Sequence, residues 1–378
     1  MRDYHEIDLW RHVKHDEWDS YAWQLRNKIT DIDRLSKVLH LDEQQKNDIA
    51  SVIKVYKMEI SPHLSTLMDP DDEECPVRKQ WIPSKKELIK RESEHLDAVA
   101  EENYEKDFGV IHRYPDRIAF MSSDVCGSLC RFCTRKRSVL AKGRMGLRPK
   151  ADIDKMISYV ANHEEIRDIL ITGGDALSYP NSQIEYMLSK LYAIPTVEIV
   201  RLGTRLPISI PQRIDGELAA TLRRFRPLYI NIQVNHPNEI SPETKKACEA
   251  LADAGAVLGN QSVLLRGVND NVESQRQLVH ELLKMRVRPY YLYQCDLSVG
   301  LEHFRTTISK GLEIMEGLIG HTSGLAIPHY IVEAPGGGGK VPIHPATFVR
   351  SYRGHDVYVR NFENKFYKYV EPDMVEIP

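Results

Sequence analysis

The sequence predicts an α/β fold built as a (β/α) barrel, and three observations carry that prediction. Seven short apolar or β-branched runs, at 117–122, 168–172, 198–202, 228–234, 257–265, 289–294 and 328–332, alternate with helical patterns near 151–163, 183–192, 213–225, 242–254, 272–286 and 309–319. Such alternation calls for parallel strands with right-handed crossovers, which allows a barrel or an open doubly wound sheet. No G-x-G-x-x-G follows the first strand, as a dinucleotide-binding sheet would require. The chemistry-bearing residues instead stand just past the C-terminal ends of many strands: a cysteine cluster, Gly173-Gly174-Asp175, Gly203-Thr204-Arg205, Asn235-His236, Asp296 and Glu333. In a barrel those ends converge on one mouth.

The first hundred residues read as helical. Trp18, Tyr21, Leu25 and Ile29 recur at helical spacing, and Ile49, Val52, Ile53, Tyr56 and Met58 suggest a second amphipathic segment. Asp69-Pro70-Asp71-Asp72-Glu73-Glu74 reads as a solvated acidic connector. At the other end, strands at 356–359 and 365–370 around Asn361-Phe362-Glu363-Asn364 predict a hairpin. The expected units are an N-terminal helical region (1–110), the barrel (111–345) and a C-terminal hairpin segment (346–378).

Composition bounds the function. Hydrophobic residues make up 42% and charged residues 28%, values of a folded globular chain. With 51 Lys and Arg against 54 Asp and Glu, no global positive field favours nucleic acid or an anionic membrane, so small-molecule substrates are expected. No apolar run reaches the roughly 18 residues that span a bilayer, and the first residues lack a signal-peptide stretch, which makes the cytoplasm the expected compartment.

Of six cysteines, Cys75, Cys248 and Cys295 stand alone, while Cys126, Cys130 and Cys133 form C-x3-C-x2-C. Structural zinc wants four ligands, normally as two pairs, and no second pair exists. An iron–sulfur cluster on three thiolates keeps one iron open for a ligand. Reactive free thiols are the third reading.

The stretch Cys126-Gly127-Ser128-Leu129-Cys130-Arg131-Phe132-Cys133 resembles the cluster loop of the radical S-adenosylmethionine superfamily. The resemblance implies a [4Fe-4S] cluster whose open iron chelates S-adenosylmethionine, set in a partial, TIM-like (β/α)6 barrel. Gly173-Gly174-Asp175 stands where that superfamily keeps a glycine-rich turn contacting the methionine ammonium; alone it would be only a tight bend.

Ala334-Pro335-Gly336-Gly337-Gly338-Gly339-Lys340-Val341 fails as a phosphate-binding Walker loop. Ala334 and Val341 stand where Gly and Ser or Thr are needed, and the prolines beyond Lys340 oppose a helix. Four glycines still let backbone amides approach an anion, and a lysine beside such a backbone suits pyridoxal phosphate, whereas a flexible linker is the bland alternative.

The Pro335-to-Lys340 run closely resembles the pyridoxal phosphate attachment motif of the lysine 2,3-aminomutases. The likeness extends from Trp23-Gln24-Leu25-Arg26-Asn27 through Arg113-Tyr114-Pro115-Asp116-Arg117, Asn235-His236-Pro237-Asn238-Glu239 and Gly259-Asn260-Gln261 to Gln294-Cys295-Asp296-Leu297-Ser298. It implies an isomerase that moves the amino group of an α-amino acid from C2 to C3. Lys340 would carry the coenzyme, Arg113 and Arg117 its phosphate, Tyr114 the pyridoxal ring, and Gln261 would face S-adenosylmethionine. Arg135 matches the arginine for the substrate carboxylate, although Arg131, Lys136 and Arg137 make that stretch basic anyway. Asp296 keeps one of two aspartates used for a lysine side chain, while Glu333 replaces the other. A basic substrate is therefore expected, L-lysine first, with L-arginine or L-ornithine as alternatives. Phe132 and Gln233 depart from histidines near the S-adenosylmethionine pocket. Further expectations are no zinc, a flavodoxin or ferredoxin as electron donor, and a homo-oligomer (dimer or tetramer). The rivals are a radical enzyme of different chemistry and a non-catalytic iron–sulfur or zinc protein.

Overall fold

The computed structural model describes residues 1–106, 109–141, 146–345, 348–350 and 356–370. Parts of the expected 346–378 segment lie outside the described residues. Nine strands form one sheet in chain order: β1 (Val110–Tyr114), β2 (Arg117–Ser123), β3 (Asp168–Gly173), β4 (Ile199–Thr204), β5 (Leu228–Ile232), β6 (Val257–Leu264), β7 (Val287–Gln294), β8 (His329–Ala334) and β9 (Gly339–Pro342). β2 to β8 run parallel, and β1 and β9 cap the two edges antiparallel. All seven expected strands are present, joined by six crossover helices, Lys150–Ala161, Asn181–Tyr192, Gly216–Leu222, Pro242–Asp253, Val272–Lys284 and Ile308–Leu318. β1 and β9 were not expected as strands.

Burial alternates along the strands. Ile169 and Ile171 of β3, and Val200 and Leu202 of β4, are buried in the main core with the crossover helices, whereas Leu170, Thr172 and Arg201 between them stay half-buried. Fully burying each such aliphatic chain contributes about 1.5–3 kcal/mol. The opposite face stays half-buried and carries polar side chains that meet, as in the Arg201–Asp168 pair at 2.7 Å. The outer strands approach each other through side chains: the Lys340 amide of β9 donates to the Tyr114 hydroxyl of β1 at 3.1 Å.

The N-terminal region differs from its periodicity. The helical spacing of Trp18 to Ile29 is interrupted, because the Ser20 hydroxyl accepts from the Trp23 amide and caps a new helix, Tyr21–Arg26. Ile29 instead bridges Ile60. The second expected segment ends at Ile53 (Glu43–Ile53), leaving Tyr56 and Met58 outside it. The helix expected from 213 begins at Gly216, since the Asp215 carboxylate caps it by accepting from the Leu218 amide. Trp10, Trp18, Ile29, Leu64 and Trp81 form a second core. The acidic connector is a solvated turn in which Asp69 accepts from the amides of Asp71 and Asp72. The expected hairpin is present as β11 (Asp356–Arg360) and β12 (Phe366–Val370), joined by a third strand, β10 (Phe348–Arg350).

Candidate active site

Cys126, Cys130 and Cys133 lie in the loop that leaves β2, and the N-terminal region grips this loop from outside. The Leu129 amide donates to Glu59 O at 2.8 Å, and Lys28 bridges Glu59 and the Cys126 carbonyl. Arg131, fully buried, makes a two-point ion pair with Glu87, which also takes Lys136 at 2.6 Å. Arg131 and Lys136 are thus structural cations. Burial pushes the Cys133 thiol up to about 12 and the Cys130 thiol up as well, while Arg205 beside Cys130 favours its thiolate. Among the described residues no three His, Cys, Asp or Glu side chains are gathered closely enough for a single ion. A four-iron cube holds its thiolates farther apart than one ion does.

The Gly173-Gly174-Asp175 turn packs on the same loop. Gly173 has φ +114°, and a Cβ on Gly173 or Gly174 would collide with the Ser123 or Val125 backbone. The Asp175 amide donates to Val125 O at 2.7 Å. The Asp175 carboxylate faces the protein, accepting from Thr204 Oγ1, the Arg205 amide and the Leu177 amide at 2.7, 2.7 and 3.0 Å. Its surroundings make it a structural brace as well as a candidate ligand.

Sequence reasoning missed the partner of Cys130. Arg205 Nη1 donates to Cys130 Sγ at 2.9 Å, while Nη2 contacts Gln80 Oε1 and Glu239 Oε2 at 2.7 and 2.6 Å. Trp81 and Phe132 flank the guanidinium at 4.3 and 4.9 Å. Phe132 is thereby a core residue, packed with Leu265, Val268 and Phe304. Arg205→Met should leave the fully buried Glu239 without its cation and lower stability by about 3–5 kcal/mol, read as a lower urea midpoint.

At the opposite edges of the sheet, Arg113 reaches the glycine loop. A Cβ on Gly337 would stand 3.2 Å from Arg113 Nη1, and one on Gly339 would stand 3.0 Å from Nη2; both glycines have positive φ. Arg113 lies over the rings of Tyr104 and Tyr114 at 4.8 and 5.5 Å, yet its Nη1 is buried with no hydrogen-bond partner among the described residues. An orphaned guanidinium nitrogen beside glycine backbone is what an anion would satisfy. Arg117 stacks on Tyr114 at 4.1 Å and pairs with Asp116 at 2.8 Å.

Lys340 and Glu333 sit opposite each other across β8 and β9, with Nζ 3.1 Å from Oε2. Asp296 lies in the same field, accepting from Thr134 Oγ1 at 2.6 Å. Burial raises its carboxyl to about 6, Glu333 adds to the rise, and Thr134, Lys340 and Arg135 oppose it. Asp296 and Glu333 line a cavity of about 410 Å³ with Gln294, Thr306, Ile308 and Pro335. Arg135 pairs with Glu101 at 2.6 Å. Gln261 is half-buried on β6 at a shift in its register with β7, and Gln233 is half-buried beyond β5.

Comparison with known proteins gives concordant matches. Residues 121–274 match the radical SAM superfamily, and residues 315–376 match the lysine-2,3-aminomutase family. An L-lysine 2,3-aminomutase of Fusobacterium nucleatum is 46% identical over 361 residues, covering 96% of this chain and 84% of that protein. Another, of Clostridium subterminale, is 47% identical over 365 residues, covering 97% and 87%. A glutamate 2,3-aminomutase of Clostridioides difficile is 44% identical over 363 residues, covering 96% and 85%.

Proposed function

This chain belongs to the lysine 2,3-aminomutase family of radical S-adenosylmethionine enzymes, and on that premise we propose that it moves the amino group of a basic L-α-amino acid from C2 to C3, with L-lysine the leading substrate. Membership makes it an isomerase and implies a [4Fe-4S] cluster, S-adenosylmethionine and pyridoxal phosphate. When bound, the cluster and S-adenosylmethionine supply an adenosyl radical able to remove an unactivated C3 hydrogen, and pyridoxal phosphate supplies a covalent hold on the migrating nitrogen.

The residues present suit these groups. Cys126, Cys130 and Cys133 would ligate the cluster, with Gly173, Gly174, Asp175 and Gln261 on the S-adenosylmethionine side. Arg113 and Arg117, with the loop amides, would hold the coenzyme phosphate, Tyr114 would lie against its ring, and Lys340 would attach it. Arg135 would take the substrate carboxylate.

One observation carries the substrate reading. Asp296 and Glu333 bring two carboxylates to one cavity, where Lys340 pairs with Glu333, Arg135 is engaged by Glu101, and Arg305 lines the wall beside them. A substrate whose side chain brings its own cation can pair with Asp296, whereas glutamate would add a third carboxylate. The glutamate-using relative is nearly as similar as the lysine-using ones, so this pair, rather than overall identity, favours a basic side chain.

Two results are expected. Asp296→Asn should raise KM for the basic amino acid about tenfold or more and also lower kcat, because the side chain anchors C3 in place. Asp296 is ionised above its raised value of about 6 and takes a proton below it. Wild-type KM should therefore climb as pH falls through 6, and binding at that pH should release protons, measurable by calorimetry in buffers of different ionisation enthalpy. A KM flat between pH 5 and 8, or equal turnover of lysine and glutamate, contradicts the reading.

The same reading includes a flavodoxin- or ferredoxin-type electron donor, a dimer or tetramer, and a reducing cytoplasm, which suits a cluster and the free cysteines. Its working units are 1–110, 111–345 and 346–378.

A further inference from the structure

We propose that Glu101 is a positioning residue that aims Arg135 at the substrate carboxylate, and that the 94–104 segment carrying it forms a wall of the active site. The proposal rests on the reading of Arg135 given above.

Arginine offers two edges to carboxylates, one formed by Nε and one terminal nitrogen, the other by the two terminal nitrogens. Glu101 occupies the first: Oε1 accepts from Nη2 at 2.6 Å and from Nε at 3.1 Å, and Oε2 lies 3.2 Å from Nε. Nη1 stays outside this pair, so the end-on edge can receive a second carboxylate. The neighbouring acids do not compete, because Asp97 and Glu102 both pair with Arg137, at 3.3 and 2.6 Å.

The segment is fixed at several points of the site. The Glu94 carboxylate accepts from the amides of Gly300, Leu301 and Glu302, and the His95 amide donates to Leu297 O at 2.7 Å, next to Asp296. Ala100 is held left-handed at φ 54°, a conformation that non-glycine residues adopt only when the surroundings impose it, and it turns the chain directly before Glu101. Three residues later Tyr104 lies over Arg113, and its hydroxyl donates to Gly337 O at 3.4 Å. A single segment thus sets the guanidinium proposed for the substrate carboxylate and the one beside the glycine loop.

The test uses holoenzyme loaded with cluster and pyridoxal phosphate, without S-adenosylmethionine or reductant, so that no turnover occurs. L-lysine and L-lysine amide, which lacks the carboxylate, are titrated against the coenzyme absorbance. Wild type should prefer lysine. Glu101→Gln should weaken lysine about tenfold and leave the amide within about twofold, with Glu101→Asp recovering part of the loss. Tighter lysine binding in Glu101→Gln would make Glu101 a competitor of substrate, and equal weakening of both ligands would make it merely structural; either overturns the proposal. Arg135→Lys separates the two ideas. If it abolishes the preference for lysine while Glu101→Gln keeps it, only the role of Glu101 falls. If Arg135→Lys leaves the preference intact, the reading of Arg135 falls, and Glu101 with it.

Discussion

Cys130→Ala should abolish both the iron–sulfur absorbance and the reductive cleavage of S-adenosylmethionine, and Cys126→Ala and Cys133→Ala should do the same. A cluster with three protein ligands has none to spare, and Cys75, Cys248 and Cys295 are buried among apolar residues outside the C-x3-C-x2-C loop. The Cys130 variant carries a second defect. It removes the sulfur partner of Arg205 Nη1, in a guanidinium whose Nε is already buried without a partner among the described residues. Individual replacement of Cys75, Cys248 or Cys295 should leave the cluster spectrum unchanged. A full cluster after Cys130→Ala would overturn the ligand assignment.

Lys340→Ala should eliminate borohydride-fixable pyridoxal phosphate and reduce turnover to background, with cluster absorbance intact. The loss is specific because Lys340 occupies the meeting point of the sheet edges, its amide on Tyr114 and its ammonium on Glu333. Glycines at 337 and 339 hold the preceding turn against Arg113, and the backbone there does not depend on the lysine side chain. Arg113→Ala and Arg117→Ala should weaken coenzyme binding, by about 1.5–3 kcal/mol for each charge-assisted hydrogen bond removed. Fixation of the coenzyme to another lysine would refute the assignment.

The barrel was legible because each of the seven parallel strands is a short apolar run and the first six are followed by amphipathic crossover helices, a pattern that local sequence carries. Cys126, Cys130 and Cys133 were singled out as candidates by their spacing, and Lys340 by the glycines before it. β1 and β9 were missed because Val110–Tyr114 and Gly339–Pro342 are short edge strands whose pairing depends on neighbours, not on their own hydrophobicity. The break at Ser20 was missed because apolar spacing continued through it while a capping hydroxyl ended the helix.

The Gln80–Arg205–Glu239 network joins residues separated by as many as 159 positions, and no short window contains it. Glu101 was hidden for another reason. It stands beside Glu102 in an acidic stretch, and only the fold shows that one pairs with Arg135 and the other with Arg137. Asp175 reads as a ligand from its motif, while its hydrogen bonds to Thr204, Arg205 and Leu177 give it a bracing role that the motif does not reveal.

The central claim is a C2-to-C3 amino shift on a basic amino acid. Its most direct test is an anaerobic incubation of cluster-loaded enzyme with pyridoxal phosphate, S-adenosylmethionine, a reductant and L-lysine carrying ¹⁵N on its α-amino group, followed by NMR of the product. The expected result is ¹⁵N attached to C3, with ornithine and arginine as the nearest competitors and glutamate inert. Label that stays on C2 of all the basic amino acids while S-adenosylmethionine is cleaved, or that migrates in glutamate as readily as in lysine, would contradict it.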